Sequence, residues 1–377
     1  MIRLSGITWD HARGYDPMIA TGAAFHREHP QVEIVWEKRV LQEFAYEPLD
    51  RLAARFDLLI MDHPWLGGAV KHNCLLPLDA YLDADYLEDQ AANSVGPSYA
   101  SYSWQGRQYA LAVDTATPVA AWRPDQLAAP PATWEELLDL AREGRVALPA
   151  MPVDCMMHFY MLCCALGREP FPDEETVIDA RIGAEALETL RELAGWCKPE
   201  MFGLNPFQVY ERMLASGPEV YCPFGYGYSN YARPRLGGPV LRFGEMVTSK
   251  DGKLLRTTLG GTGWPCPRCR EIDAAMGTCA TLRRGRASRA LRGERRPAQP
   301  IAPRGWMGRQ RALRRFFRAT LPALDRAWLR PRYAGHLAFQ DQAGDLVHAF
   351  MREGGDPKRT LGRMREIYLH TREGTEA

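Results

Sequence analysis

The chain has 377 residues, with 47 basic and 46 acidic side chains and a formal net charge of +1. This length predicts two domains or one large bilobed domain with a sizeable core. Apolar (46%) and charged (25%) fractions are ordinary for a globular protein. No run reaches the ~18 apolar residues that a membrane span needs, and the nine cysteines lack the spacing of a secreted disulfide framework.

The first part of the chain alternates predicted strands and helices. Ile2 to Ile7 predicts a strand, and Trp9 to Tyr15 the loop at its carboxyl end. Asp16-Pro17 predicts an N-cap and first-turn proline, opening a helix that ends near His29-Pro30. The pattern continues with a strand at 32–36, a helix at 41–54 and a strand at 58–61. This order predicts a parallel, right-handed α/β lobe.

The third of these strands, Leu58 to Met61, is a short apolar run typical of a parallel sheet covered on both faces. It is followed at once by Asp62-His63-Pro64-Trp65. Ligands of open α/β sheets bind outside the carboxyl ends of the strands. These side chains therefore predict a polar small molecule stacked on an aromatic ring. In the alternative interpretation Trp65 packs in the core and Asp62 caps the next helix.

The middle of the chain continues the α/β pattern. Thr133-Trp134-Glu135-Glu136 is a predicted capping box at the start of a helix. Asn205-Pro206 predicts the start of another helix, which ends at Ser216 before Gly217. The other predicted elements are a hairpin-like pass at 101–123, a strand at 146–149, helices at 156–167 and 183–196, and a strand at 219–224.

The loop from Gly225 to Tyr231 holds three tyrosines and two glycines, which favours a stacking platform over a β-corner. Residues 240–246 and 254–259 predict a strand pair around a turn at 250–253. Gly260 to Gly263 is a flexible loop that lacks the Lys-Ser/Thr of a P-loop. Near the end, a helix at 339–352 and one at 358–372, capped by Asp356-Pro357, are predicted.

The stretch from Trp264 to Arg318 differs in composition from the rest. It contains fifteen arginines and three acids, leaving 32 basic and 43 acidic side chains elsewhere, a balance of −11. Residues 283–315 could contact nucleic-acid phosphates, but few aromatic residues and no binding motif accompany the charges. Cys266-Pro-Arg-Cys269 is a single CxxC without a second pair, so a zinc or redox site is not favoured.

Four stretches, in this order, resemble the family 1 extracellular solute-binding proteins, the maltose-type carbohydrate-binding components of ABC importers. They are the loop Trp9 to Tyr15, the segment DLLIMDHPWLGGAVKHNCLLPLD, the segment WRPDQL…PPATWEELLDLAR, and the closing helices around Gly-Gly-Asp-Pro. Together they span most of residues 1–263 and 316–377.

The resemblance implies the two-lobed type II periplasmic-binding-protein-like fold, an α/β fold in which each lobe is a sheet flanked by helices. Hinge crossovers join the lobes, and the ligand binds in the cleft between them. Lobe one is expected at 1–113 plus 258–312, and lobe two at 118–257 plus 313–377. Residues 114–117 and 259–263 are expected to be the hinge segments.

The implied ligand is a sugar or related polyhydroxylated solute, because sugar rings stack on aromatic side chains and their hydroxyls bind carboxylates, arginine and amides. The residues expected to bind it, carried over from the resemblance, are Trp9, Asp10, His11, Arg13, Asp62, His63, Trp65, Asp114, Asp154, Tyr226, Tyr228, Asn230 and Tyr231. Arg13 could instead cap a helix or pair with Asp10, and Tyr231 could be a core residue.

The resemblance further implies a monomer that delivers its solute to a membrane permease, with no cofactor, no metal, no nucleic acid and no catalytic residues. It places the protein in the periplasm, although Met1-Ile2-Arg3-Leu4-Ser5 predicts a strand rather than a signal peptide, which would make the chain cytoplasmic as written. The alternative is a periplasmic-binding fold repurposed as a cytoplasmic enzyme or ligand sensor. In the enzyme, Cys155 or Cys222 would pair with His63 or His158.

One part of the chain departs from the family. Where family members continue with Leu-Ala-Val-Ser, this chain has Trp264-Pro-Cys-Pro267, and that change matches a reading frame displaced by one base in GC-rich DNA. Residues 264–267 and 277–315 are therefore suspected to be translated out of frame. This would also explain the surplus of arginine.

Overall fold

The computed structural model describes residues 1–39, 49–233, 238–267, 269–281 and 311–373. The chain divides into two compact units. Unit 1 consists of the described residues within Met1–Thr115, Gly260–Trp306 and Arg332–Ala334. Unit 2 consists of those within Ala116–Leu259, Met307–Pro331 and Gly335–Ala377. The first two changes of unit fall inside the predicted hinge segments 114–117 and 259–263, whereas 332–334 was expected in lobe two; the lobe boundaries themselves stay a prediction.

Unit 1 is an α/β unit. Its strands are β1 Ile2–Trp9, β2 Val32–Arg39, β3 Leu58–Leu59, β4 Met61–Asp62, β5 Leu75–Leu76, β6 Ser103–Trp104, β7 Arg107–Gln108, β8 Ala110–Ala112 and β12 Thr262–Pro267. Its helices are α1 Ala12–Glu28, α2 Leu49–Arg55, α3 Leu66–Lys71, α4 Ala84–Asn93 and α9 Ile272–Thr281. Only part of the helix predicted at 41–54 can be compared, because residues 40–48 lie outside the described ranges.

The predicted parallel alternation at the start of the chain is confirmed. Strand β1 lies between β2 and β3 and is parallel to both. The apolar run 58–61 is divided, since β3 pairs with β1 while β4 pairs with the antiparallel β12. Strand β12 also pairs with β5 and β8. The core under these strands includes Leu59, Met61 and Tyr102, all almost fully buried.

The prediction that helix α1 begins at Asp16-Pro17 is wrong. The helix begins at Ala12, because His11 is its N-cap and the ring Nδ1 of His11 accepts a hydrogen bond from the backbone N–H of Arg13 at 3.0 Å. Pro17 therefore lies inside the helix, where it cannot donate a backbone hydrogen bond. The earlier start brings Arg13 into the first helical turn, directly after the carboxyl end of β1.

Unit 2 contains three of the paired strands and most of the long helices. The strands are β9 Pro118–Trp122, β10 Tyr221–Tyr226 and β11 Arg242–Gly244. The helices are α5 Trp134–Arg142, α6 Pro152–Ala165, α7 Ala180–Ala194, α8 Pro206–Leu214, α10 Arg311–Asp325, α11 His336–Glu353 and α12 Pro357–Arg372. The predicted capping box at Thr133 and the predicted caps at Asn205 and Asp356 are confirmed.

The sheet of unit 2 has the order β10-β9-β11, with antiparallel pairs. The predicted hairpin between 240–246 and 254–259 is wrong, because β11 pairs with β9 and only the single bridge Thr248–Leu254 spans the turn. The predicted strand at 146–149 is reduced to a parallel bridge from Val146 to Tyr221 of β10. Helix α6 is buried on nearly all sides, as its apolar sequence predicts, with α7 and α11 packed against it.

The short segment Arg332–Ala334 belongs to unit 1 although the chain on both sides of it belongs to unit 2. The Arg332 guanidinium donates hydrogen bonds to the backbone carbonyls of Ala100 and Ser103, each at 2.7 Å. Gly67 provides the space that this segment needs, since a Cβ atom at Gly67 would lie 1.7 Å from the carbonyl oxygen of Arg332. Among the described helices none is long and apolar enough to cross a membrane.

Candidate functional site

The carboxyl ends of the parallel strands in unit 1 bring polar and aromatic side chains to one edge. Strand β1 ends at Trp9 and β4 ends at Asp62, so both residues lie at this edge. Strand β12 runs antiparallel and starts there, with Thr262 opposite Asp62. The backbones of Asp114 and Thr262 exchange two hydrogen bonds, at 3.0 and 3.1 Å. Asp114 therefore joins the same edge.

Arg13 and Asp114 form a buried ion pair at this edge. The Arg13 guanidinium donates a hydrogen bond to Oδ2 of Asp114, and each side chain is less than a tenth exposed. Burial raises the pKa of the Asp114 carboxyl, and the neighbouring guanidinium opposes that effect. Because a guanidinium remains protonated in proteins, the pair places a fixed cation and a counter-charge side by side. Arg13 therefore pairs with Asp114 and not with Asp10.

The aromatic rings after β1 are packed around Arg13. The rings of Trp9 and His11 are stacked, with centroids 5.1 Å apart, and the Arg13 guanidinium carbon lies 5.7 Å from the Trp9 ring centroid. Gly14 makes this arrangement possible, because a Cβ atom there would lie 2.1 Å from Nε1 of Trp9. Trp9 is thus buried against the first turn of α1, and His11 is half-buried.

The other predicted residues of unit 1 take different orientations. Asp10 is exposed and its carboxylate pairs with the ammonium of Lys38 at 2.8 Å. His63 is buried, with its ring edge-on to that of Tyr102 at a centroid distance of 6.3 Å. Trp65 is half-buried and packs on the core of unit 1. Asp62 is half-buried and precedes a single 3-10 turn without capping it through its side chain.

In unit 2 the predicted tyrosines follow strand β10 and divide into two groups. Tyr226, at the end of the strand, is half-buried, and its hydroxyl lies 3.1 Å from Oγ1 of Thr258. Tyr228 and Tyr231 are buried and pack around the ring of Tyr210. The Tyr231 hydroxyl donates to Oε1 of Glu211 at 2.9 Å, which is the arrangement of a core residue. Asn230, between them, is half-buried.

Asp154 lies near the same edge of the unit 2 sheet. It is in the first turn of α6, and it is 5% exposed. Burial alone raises the pKa of its carboxyl to about 8, so the group is mostly protonated at neutral pH. The segment before α6 runs parallel to β10, since Val146 bridges to Tyr221 and the backbone N–H of Ala147 donates to the carbonyl of Tyr221 at 2.8 Å. Asp154 follows that segment and Tyr226 ends β10, so both residues come after neighbouring parallel segments.

The residues weighed for catalysis are not arranged as a nucleophile and base. Cys155 and Cys222 are fully buried, and burial raises the pKa of both thiols well above the ordinary value. Burial also lowers the pKa of His158 to about 4, and its Nε2 lies 2.8 Å from the carbonyl of Pro149. A buried neutral thiol is a poor nucleophile. In the part of the chain that the structure describes, no three His, Cys, Asp or Glu side chains are placed to hold a metal.

Two contacts at these edges were not predicted. In unit 1 the Tyr102 hydroxyl lies within hydrogen-bond distance of the carbonyls of Met61, at 3.1 Å, and Gly261, at 3.3 Å. It thus links the first residue of β4 to the residue before β12. In unit 2 Thr258 contacts Tyr226. Each contact joins residues far apart in the chain, and no local pattern marks it. The basic segment 283–315, weighed for nucleic-acid binding, lies largely outside the described residues.

Comparison with known proteins gives consistent results. The model of the family described as bacterial extracellular solute-binding protein matches residues 23–223. Maltose-bound MalE3 of T. maritima is 17% identical, with a TM-score of 0.82 over 98% of this chain and 100% of that one.

Two further solved structures agree in fold. An ABC transporter solute-binding protein of Thermotoga lettingae TMO, bound to alpha-D-tagatose, is 15% identical, with a TM-score of 0.82 over 98% of this chain and 100% of the other. An ABC transporter solute-binding protein of Agrobacterium radiobacter K84, in complex with ribitol, is also 15% identical, with a TM-score of 0.78 over 98% of each chain. At these identities the likeness shows the fold, and the predicted α/β fold of this class is confirmed.

Proposed function

The chain belongs to the bacterial extracellular solute-binding proteins, and from that membership we propose that it captures a small sugar or related polyhydroxylated solute for an ABC-type importer. The family binds solutes and does not consist of enzymes. The predicted solute-binding role, as opposed to catalysis, is therefore confirmed at the level of the family.

The observation that carries the sugar assignment is the composition of the two sheet edges. Unit 1 gathers Trp9, Asp62 and the Arg13–Asp114 pair at the carboxyl ends of its strands. Unit 2 places Tyr226 and Asp154 after neighbouring segments of its own sheet. Rings for stacking and carboxylates for hydroxyl groups are what a sugar site requires. The solved relatives that bind maltose, tagatose and ribitol support the same class of ligand.

The delivery of the solute follows from the same family membership. We infer that the protein works outside the cytoplasmic membrane, as a monomer, and passes its solute to a membrane permease. The position of the ligand between two lobes, which the resemblance implies, stays a prediction.

A thermal-shift screen of the intact chain tests the proposal. Monosaccharides, disaccharides and polyols are each added at pH 7, and a ligand that binds only the folded state raises the melting temperature. At a ligand concentration 100 times the Kd the stabilisation is about 2.7 kcal/mol, which is readily measured. If no member of these three classes changes the melting temperature, the proposal is wrong.

Variants then locate the site. Asp62→Asn and Tyr226→Phe each remove one polar group from a candidate edge and keep the size of the side chain. We expect either substitution to lower the affinity for the sugar identified by the screen about tenfold, as measured by titration calorimetry. Asp139→Asn is the matched control, because Asp139 is exposed on α5 and pairs with Arg142 on the same helix. Equal affinities in all three variants would contradict the assignment of the edges.

A further inference from the structure

In the described part of the chain, the buried acids are paired with cations except at one position. Within the described ranges, three acidic side chains are buried: Asp114, Asp154 and Glu219. Asp114 has the Arg13 guanidinium. Glu219 has the Lys198 ammonium at 2.8 Å and the Arg212 guanidinium at 2.9 Å. Asp154 has no such partner, and its Oδ2 has no hydrogen bond within the described part of the chain.

The groups around Asp154 cannot supply the missing donor easily. The nearby side chains that interact with its charge are Cys155, Tyr210 and Cys222, all uncharged. The Tyr210 hydroxyl already donates to the carbonyl of Tyr226 at 2.9 Å. The Cys155 thiol donates to the carbonyl of Ala150 at 3.2 Å. A buried carboxyl oxygen without a donor is costly, and Oδ2 of Asp154 therefore lacks a hydrogen-bond donor that a ligand could provide.

The position of Asp154 suits a ligand. It lies in the first turn of the fourteen-residue helix α6, beside the exposed Val153, and follows a segment parallel to β10. The positive end of a helix stabilises a carboxylate there once a counter-ion is present. Tyr226, which ends β10, adds a half-buried ring in the same part of the unit. A carboxylate together with an aromatic ring favours a cationic group over a neutral one.

We propose that Asp154 binds a protonated amino group of the solute, so that the ligand class is an amino sugar or amino polyol. The inference rests on the proposed function and narrows its ligand. Binding moves one proton: the neutral Asp154 carboxyl loses its proton to the buffer, and the carboxylate pairs with the ammonium of the ligand. A neutral sugar would leave the acid protonated and release nothing.

The buried thiols, the Tyr210 phenol and the His158 ring do not provide this proton at pH 7. Burial raises the pKa of Cys155, Tyr210 and Cys222 well above the ordinary values and lowers that of His158 to about 4. Helix α11 packs on α6 and carries Asp341, Asp345 and His348. Burial, with the charge of Asp345, raises the pKa of Asp341 to about 6. Asp341 is therefore a second acid with a raised pKa on a neighbouring helix, and it serves as the control position.

The test is titration calorimetry of the intact protein at pH 7 in two buffers of different ionisation enthalpy. The probes are glucosamine, galactosamine and mannosamine, each with its parent sugar and its N-acetyl derivative. We expect one amine to bind at least about tenfold more tightly than its parent and its N-acetyl form, with release of about one proton. Asp154→Asn should lower the affinity for that amine about 30-fold or more and abolish proton release. Asp341→Asn should change neither.

Each outcome decides the proposal. If neutral sugars bind as tightly as the amines, or if the amine binds without releasing a proton from the unmodified protein, the inference is wrong while the sugar-binding function stands. If no sugar, polyol or amine binds, the proposed function and the inference both fail. The proton measurement on the unmodified chain does not depend on the folding of any variant.

Discussion

The guanidinium of Arg13 donates a hydrogen bond to the carboxylate of Asp114, a residue 101 positions later in the chain, and both side chains are buried. The pair joins the first turn of α1 to the residue that exchanges backbone hydrogen bonds with Thr262. Removing one partner of a buried ion pair leaves the other charge without compensation. The pair therefore governs stability at an edge where the ligand is expected.

A double-mutant cycle measures this coupling. We expect Arg13→Met alone and Asp114→Asn alone each to lower the free energy of unfolding by about 3–5 kcal/mol, because each leaves a buried polar partner unpaired. The double variant should be less destabilised than the sum of the two. Urea denaturation monitored by circular dichroism gives the values. Simple additivity would show that the two side chains do not interact.

The close approach of the Trp9 ring to Gly14 of α1 predicts a steric effect of any side chain at Gly14. Gly14→Ala would place a methyl group 2.1 Å from Nε1 of Trp9, so the ring must move. We expect a loss of about 1–3 kcal/mol in the free energy of unfolding. Gly22→Ala, in the same helix, is the control, because the nearest atom would lie at an ordinary 3.6 Å. That variant should be neutral or more stable by up to about 1 kcal/mol; similar losses in both would contradict the packing.

Asp154 predicts a pH dependence of stability. Its carboxyl has an ordinary pKa of 3.8 in the unfolded chain and about 8 in the folded one, because burial disfavours the charged form. Between these values the folded state keeps a proton that the unfolded state has lost. The contribution of this group is therefore full below about pH 4 and falls as the pH rises, by up to about 1.4 kcal/mol per pH unit, until it is lost near pH 8.

Asp154→Asn isolates this contribution, since the amide is close in size and does not titrate. The free energy of unfolding, measured by urea at pH 5, 6 and 7 without ligand, should decline more steeply in the unmodified protein than in the variant. Parallel pH profiles would show that Asp154 is already ionised in the folded state.

Strand β12 bears on the suspected change of reading frame. It lies between β4 and β5, with Pro265 opposite Ala110 of β8 and Pro267 opposite Leu75. Proline cannot donate to a strand ladder and is seldom found in a strand with neighbours on both sides. We infer that residues 264–267 and 277–315 are translated out of frame, although most of the second stretch lies outside the described residues. The buried Trp264 would then occupy a position that holds a different side chain when the gene is read in frame.

Sequencing the gene and the protein from its natural host tests that inference. We expect compensating single-base changes around the codons of these two stretches when the gene is sequenced again. The tryptic peptide from residue 257 to residue 268, which contains Trp264-Pro-Cys-Pro267, should be absent from the natural protein. Detection of that peptide by mass spectrometry would rule the inference out.

Local patterns in the sequence predicted much of the fold. Chain order and apolar runs sufficed for the parallel strands of unit 1, and the capping residues marked several helix starts correctly. Asp16-Pro17 predicted a helix start that is too late in the chain, because His11 caps the helix four residues before Tyr15 ends the predicted loop. The partner of β11 could not be predicted, because a strand pairs with the segment that the tertiary fold places beside it. Here that segment is β9, and not the segment 254–259 that follows β11 in the sequence.

The candidate site was predicted less completely than the fold. The alternation of elements predicted that Trp9 and Asp62 follow strands, and both lie at strand ends. Asp154 came from the family resemblance, and the binding role of all three residues stays a prediction. The orientation of each side chain depended on contacts between distant residues, such as that of Tyr231 with Glu211. Aromatic residues at the same kind of loop can therefore be core or surface, and the sequence does not distinguish them.

The insertion of Arg332–Ala334 into unit 1 has a practical consequence for dissecting the protein. Each unit is made of three separate stretches of chain, so no continuous gene fragment encodes either one. A stop codon after Pro331 would remove helices α11 and α12 from unit 2 and, in addition, the carbonyl that packs against Gly67 in unit 1. Half-proteins made by simple truncation would misfold for reasons unrelated to ligand binding, and spliced or circularly permuted genes are needed to obtain either half intact.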